Sequence, residues 1–117
     1  MVAAGGALGA PARKLVGQWA GQWVPVPYST FIINVTGSLL LGLTLGVLSD
    51  RLPRSRVWRL GIAIGFLGAY TTFSSFEYDA LRLIQTGHPW QAVAYLTSSV
   101  CAGFAAIWVG NLVGHRL

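Results

Sequence analysis

Long apolar stretches, separated by short polar or turn-forming breaks, set the pattern of this chain. The first runs roughly over 2–22 and carries Gly5, Gly6, Gly9, Gly17 and Gly21; Pro25 and Pro27 mark the turn after it. The second runs roughly over 28–49, from Tyr28 to Ser49, and the polar run Asp50-Arg-Leu-Pro-Arg-Ser-Arg56 follows. The third covers roughly 57–84, Gly87-His-Pro89 makes the next turn, and the fourth covers roughly 90–113, ending near Gly114-His-Arg116. A membrane-spanning helix needs about 20 predominantly apolar residues. The pattern therefore predicts an all-α integral membrane protein, a single domain over 1–117 with four transmembrane helices and short loops. No internal repeat or low-complexity segment interrupts it.

The third stretch differs from the others. Gly65-Phe-Leu-Gly-Ala-Tyr-Thr-Thr-Phe-Ser-Ser-Phe-Glu-Tyr-Asp79 places two glycines, two threonines and two serines inside an apolar context. Glycine weakens a helix, so an interruption is predicted near 68–72. Non-helical backbone at membrane depth is tolerated only where protein buries it or where it lines a cavity. A broken third helix thus points to a pathway through the bilayer.

The other helices carry polar and small residues at helical spacing. Asn34, Ser38, Gly42 and Gly46 recur every four residues in the second, and Tyr95, Ser99 and Gly103 do so in the fourth. Small residues let helix backbones approach closely in lipid, and most of these glycines fit plain packing. Asn34 has two readings. A primary amide in the middle of a spanning helix needs a partner, so it either joins helices or faces a cavity.

Composition supports the membrane reading. Residues are 54% hydrophobic and 9% charged, with a mean hydropathy of +0.59; soluble domains carry about 25% charged residues. The net charge of +5 arises from bases that flank apolar segments. Orientation and lipid contact explain them better than nucleic acid does. The start of the chain lacks a basic leader, and Arg13 and Lys14 interrupt its apolar run, which argues against a cleaved signal. Cys101, the single cysteine, excludes an internal disulfide and reads as a small buried hydrophobe. His88 and His115 have no ligand-like neighbours, and no phosphate-binding loop is present. Ser74 and Ser75 have no nearby histidine to activate them. An enzyme is therefore the weakest class.

Three side-chain groups leave alternatives open. Phe73 and Phe76 lie three apart and share a helical face. They either pack or turn their electropositive ring edges toward an anion that must be held weakly enough to leave. Arg13 either snorkels to the surface or places a positive field in a vestibule. Glu77 and Asp79 are either functional intramembrane carboxylates or residents of a water-filled mouth.

At this point the residues resemble those of the Fluc/CrcB fluoride channel family over nearly the whole chain. Gly5-Gly-Ala-Leu-Gly-Ala-Pro-Ala-Arg13 is similar to its opening GGxxGAxxR. Ser29-Thr-Phe-Ile-Ile-Asn34-Val-Thr-Gly37-Ser-Leu-Leu-Leu-Gly42 is similar to its GTxxxNxxGSxxxG, and Gly65 to Asp79 to its GxxGxxTTFSTFSxE. The departures are Ser29 for glycine, Asp79 for the usual glutamate, and Gly103 where a hydroxyl often stands.

The resemblance implies an antiparallel, dual-topology dimer with two fluoride pores near the subunit interface. By the same resemblance, Asn34 would hydrogen-bond fluoride and Phe73 and Phe76 would form an aromatic box. Ser75, Tyr95 and Ser99 would line a polar track, with Arg13 and Asp79 near a vestibule. Backbone carbonyls of Gly68 and Thr71 would hold a structural sodium ion, Na+, on the dimer axis. The implied function is passive, fluoride-selective export from the cytoplasm across a bacterial inner membrane. A small four-helix multidrug transporter would need a carboxylate in its first helix, where this chain has Arg13 and Lys14. A scaffold subunit is the third class, and it would need neither Asn34 nor the aromatic pair to face a cavity. Arg51, Arg54, Arg56, Arg59 and Arg116 fall on one side of the predicted topology and Arg82 on the other. Basic residues favour the cytoplasm, so both termini are expected inside. The partner is then either an identical chain or a homologue of opposite orientation.

Overall fold

The computed structural model describes residues 2–48, 56–57 and 59–117, and every regular element among them is helical. Helix α1 covers Val2–Gly21 and α2 covers Val26–Leu48. A third rod, α3, is π-helical over Arg59–Leu67 and α-helical over Gly68–Tyr70. Helix α4 covers Phe73–Gln85 and α5 covers Pro89–Arg116. The polar connection expected at 50–56 lies mostly outside the described residues.

Two boundaries differ from the sequence expectation. Helix α2 begins at Val26 rather than Tyr28, and α5 takes in Pro89 and continues to Arg116 rather than ending near 113. Proline lacks an N–H, but the first turn of a helix has no acceptor for one, so Pro89 starts α5 instead of preceding it. His115 and Arg116 put basic side chains in the last turn of α5, where the helix dipole favours positive charge. Between α4 and α5 the chain reverses through Gly87, whose φ of +85° suits only glycine. The Gly87 N–H bonds the Ile84 carbonyl at 3.2 Å and the His88 N–H bonds the Leu83 carbonyl at 2.8 Å. This is the paired-bond stop that closes many helices.

The helices pack mainly as two pairs, α2 against α5 and α1 against α3, with α4 laid on α5. Glycines make the first two contacts possible. A Cβ on Gly42 would strike the Ile107 carbonyl, and one on Gly110 the Leu39 carbonyl. Gly46 and Gly114 meet in the same way one turn on. Gly5 and Gly9 give α1 the same intimacy with the backbone of Gly61, Gly65 and Phe66. In lipid, where burying apolar surface supplies little drive, such close backbone approach supplies dispersion contact instead.

The body is elongated, 51 × 27 × 22 Å, and its long axis exceeds the roughly 30 Å of a hydrocarbon core. Helix α2 over Tyr28–Leu48 and helix α5 are long and apolar enough to cross it, with mean hydropathies of 2.0 and 1.7. Many large apolar side chains face outward, among them Leu8, Leu15, Trp19, Val100 and Phe104. That surface suits lipid or a protein partner, not water.

Candidate functional site

The site is built around two extended residues. Thr71 has φ −79° and ψ 159°, and Thr72 has φ −148° and ψ 118°, between the end of α3 and the start of α4. Each threonine closes one helix. The Thr71 hydroxyl donates to the Leu67 carbonyl at 2.9 Å, and the Thr72 hydroxyl accepts from the Ser75 N–H at 3.2 Å, capping α4. Asn34 on α2 holds the interruption from the side. Its Oδ1 accepts the Thr72 N–H at 2.8 Å, and its Nδ2 donates to the Thr72 carbonyl at 3.0 Å. The amide thus serves Thr72 as a neighbouring β-strand would. One N–H of Nδ2 remains after that bond, since a primary amide carries two.

Neighbouring contacts seat this interruption against α2. A Cβ on Gly37 would meet the Thr71 side chain and, at 3.1 Å, the Tyr70 ring. The Tyr70 hydroxyl pairs with Thr36 at 3.0 Å, and its ring stacks on Phe66 at 6.1 Å. The geometry also bears on the two carbonyls singled out for a cation. In a continuous helix the Gly68 carbonyl would take the Thr72 N–H, and the Thr71 carbonyl the Ser75 N–H. Asn34 and the Thr72 hydroxyl take those donors instead. Two hard oxygen acceptors are therefore left without their helical partners, which fits an oxygen-liganded cation such as sodium. Both residues line an open cleft of about 260 Å³ with Asn34, Thr72 and Phe73.

The aromatic pair follows directly. The Phe73 and Phe76 ring centroids are 5.9 Å apart and tilted by 42°. Phe76 is only 7% exposed and packs on Tyr95 at 5.2 Å, whereas Phe73 is 71% exposed and projects from the subunit. The Tyr95 hydroxyl donates to Asp79 Oδ2 at 3.4 Å and also pairs with the Thr30 side chain. Asp79 is buried beside Phe76, Ala80 and Tyr95. Further along α5, the Ser99 hydroxyl oxygen is enclosed and has no hydrogen-bond partner among the described residues.

A separate cleft of about 600 Å³ lies between α1, α2 and α4, and both Arg13 and Ser75 line it. Asp79 is not among its lining residues. Thr72 lines this cleft as well as the one at Gly68 and Thr71, so the Asn34-held residue stands between the two. Sequence reasoning singled out Asn34 but not Thr72 as its partner, nor Thr30 beside Tyr95. The only available signal for Thr72 was its place in the Thr-Thr pair before Phe73; a contact across 38 positions leaves no local pattern.

Fold and site together define a small helical membrane protein whose interrupted helix gathers uncharged hydrogen-bonding groups. The family model described as CrcB-like protein, Camphor Resistance (CrcB), matches residues 1–111. Curated relatives extend the match. A protein of Acidobacterium capsulatum named fluoride-specific ion channel FluC is 52% identical, covering 99% of this chain and 94% of its own length. A like-named protein of Solibacter usitatus is 39% identical over 99% of this chain and 97% of itself. Fluoride-specific ion channel FluC 2 of Symbiobacterium thermophilum is 42% identical over 98% and 95%. The chain belongs to the CrcB family.

Proposed function

We propose that this protein is a passive, fluoride-selective channel that lets fluoride leave the cytoplasm of a bacterium through the inner membrane. The relatives' shared name supplies the ion. The structural observation that carries the reading is a pair of uncharged donors, one at the interrupted helix and one on α5. Asn34 retains an N–H beyond its Thr72 bond, and the Ser99 hydroxyl on α5 is enclosed without a partner among the described residues. Both donors are uncharged. A small dehydrated anion needs several hydrogen-bond donors, yet must not be trapped by a fixed cation. The rings of Phe73 and Phe76 add electropositive edges beside the same interruption.

The remaining residues fall into supporting roles. Ser75 and Arg13 flank the wide cleft at which the ion enters. Asp79 and Thr30 hold the Tyr95 hydroxyl, and through it the wall on which Phe76 packs. The membrane potential supplies the drive: an inside-negative voltage favours anion exit by about 2.3 kcal/mol per charge per 100 mV. No coupled ion is then required.

Two copies in antiparallel orientation form the working unit in this reading. Phe73 is too exposed in one subunit to enclose an ion alone, and the cleft at Gly68 and Thr71 opens outward. A second subunit closing over that cleft brings further oxygens to the Gly68 and Thr71 carbonyls, which would hold a structural sodium ion. Such an ion supplies positive charge that neutralises carbonyl dipoles at the interface. All four helical rods cross the bilayer, α3 and α4 doing so as one interrupted span.

Fluoride efflux from liposomes loaded with potassium fluoride tests the function. Efflux started by valinomycin, at equal rate with and without a proton gradient, is the expected result. Efflux that requires the proton gradient, or none at all, refutes a passive channel.

A further inference from the structure

Arg13 is not the only cation at the wide cleft. Lys14 lines it too, together with Gln18, Thr30, Thr72 and Ser75. Helix α1 turns two adjacent stripes toward this space: Ala10, Lys14 and Gln18 at intervals of four, and Arg13 with Gly17 beside them. Ala10 and Gly17 are small and leave the cleft open. The large apolar neighbours Leu15 and Trp19 are exposed elsewhere on α1.

Among the described residues no carboxylate lines this cleft. Of the two described acids, Asp79 is engaged by Tyr95 and Glu77 stands exposed on α4. Neither Arg13 nor Lys14 has an ion-pair partner among the described residues. Lys14 lies seven residues before Gly21, roughly 10 Å from the end of α1 along its axis. An unpaired ammonium at that depth is costly against hydrocarbon, so it belongs in a cleft that holds water. The same cleft reaches Thr72, the residue Asn34 holds at the interruption. An entrance with two positive charges, neither ion-paired among the described residues, therefore leads to the interruption that Asn34 holds.

We propose that Lys14 is a second anion-collecting charge at this entrance, acting with Arg13 to raise the local fluoride concentration and so control conduction when fluoride is dilute. The inference rests on the channel reading above. Lysine suits the task because its ammonium is compact, strongly hydrated and carried on a flexible stem. It attracts an anion through the field without presenting a rigid fork that would retain it. Lys14 is a positioning charge for the approaching ion and touches none of the donors at the interruption.

Screening provides the discriminating test. The Debye length is about 30 Å at 10 mM salt and about 3 Å at 1 M, so a field effect fades with ionic strength and a packing effect does not. The assay is single-channel conductance of the full-length protein in planar bilayers of neutral phosphatidylcholine, first with 10 mM sodium fluoride. The series is then repeated with ionic strength raised to 1 M by sodium gluconate. Lys14→Gln is expected to lower conductance about threefold at low ionic strength, Lys14→Glu about tenfold, and Lys14→Arg hardly at all. All four proteins should converge to within about 1.5-fold at high ionic strength. Unchanged conductance of Lys14→Gln at 10 mM overturns the inference. So does a loss that persists at 1 M, which would mark Lys14 as structural. A dependence on Lys14 that appears only when anionic lipid is added also overturns it and assigns the ammonium to lipid phosphate. A wild-type protein that conducts no fluoride removes the channel reading and this inference together, whereas a conducting wild type indifferent to Lys14 removes this inference alone.

Discussion

Replacing Asn34 with alanine separates its two tasks, holding the interruption and offering an N–H to the ion. The substitution deletes the acceptor for the Thr72 N–H and the donor to the Thr72 carbonyl, bonds of 2.8 and 3.0 Å. Thr72 is 8% exposed, so water cannot freely replace either partner. A buried backbone group left unsatisfied costs about 1–3 kcal/mol, so the two together cost about 2–6 kcal/mol. In a domain of roughly 100 residues, 1 kcal/mol moves the melting temperature by about 4–8 °C. The apparent Tm of the detergent-purified protein should therefore fall by at least about 8 °C for Asn34→Ala, read by intrinsic tryptophan fluorescence. Fluoride efflux from liposomes should be lost as well. Asn34→Asp is the informative companion. It keeps an acceptor for the Thr72 N–H but turns a carboxylate oxygen toward the Thr72 carbonyl and adds negative charge on the anion's path. Its Tm should lie between wild type and Asn34→Ala, with efflux abolished. An Asn34→Ala protein that melts within about 2 °C of wild type and conducts normally would show that the amide is neither clamp nor donor.

Phe73→Ile and Phe76→Ile should both cut fluoride efflux, but only Phe76→Ile should also lower Tm, because its ring packs on Tyr95 while Phe73 projects outward; normal efflux in both removes the aromatic pair from the pathway. Gly110→Leu places a side chain against the Leu39 carbonyl and the Leu43 amide of α2, backbone that cannot yield, so the monodisperse peak in size-exclusion chromatography should disappear. A preserved peak would mean that α2 and α5 do not pack through these glycines. Exchanging sodium for N-methylglucamine should lower the protein's Tm, and equal Tm in both buffers counts against a cation held by the Gly68 and Thr71 carbonyls. A cysteine placed after Leu117 in a chain lacking Cys101 should label with impermeant maleimide mainly from the cytoplasmic side, since Arg51, Arg54, Arg56, Arg59 and Arg116 fall on the same side as the termini in the expected topology; equal labelling from both sides rejects the orientation bias and favours a homodimer.

Helix type and number of apolar segments were legible because each signal is local. Continuous apolar runs, the prolines at 25 and 27 and the glycine at 87 act within one or two turns of chain. Boundaries were less legible where a proline sits, as at Pro89, since the same residue ends one structure and opens another. The small-residue stripe on α5 was read as Tyr95, Ser99 and Gly103; the same face continues two turns on to Gly110 and Gly114, which meet the α2 backbone, while Gly103 faces the Ser38 side chain of α2. Spacing gave the face, but not which of its residues brings the two backbones together.

Asn34 carries the same distinction between local signal and fold. The sequence alone determined that an amide in an apolar helix needs a partner, because desolvation of a primary amide is costly wherever it lies. Only the tertiary structure decided that the partner is the backbone of Thr72, 38 residues away, because that pairing depends on how α2 and the α3–α4 rod are set against each other. Likewise, Phe73 and Phe76 share a helical face by spacing, yet one ring is buried and the other exposed, because α4 packs against α5 on one side only. Two adjacent cations, Arg13 and Lys14, were visible as an interruption of an apolar run. That they line the same cleft, without an acid among the described residues, follows from the packing of α1 beside α2 and α4, since the sign of a field in a cleft is set by every wall and not by one helix.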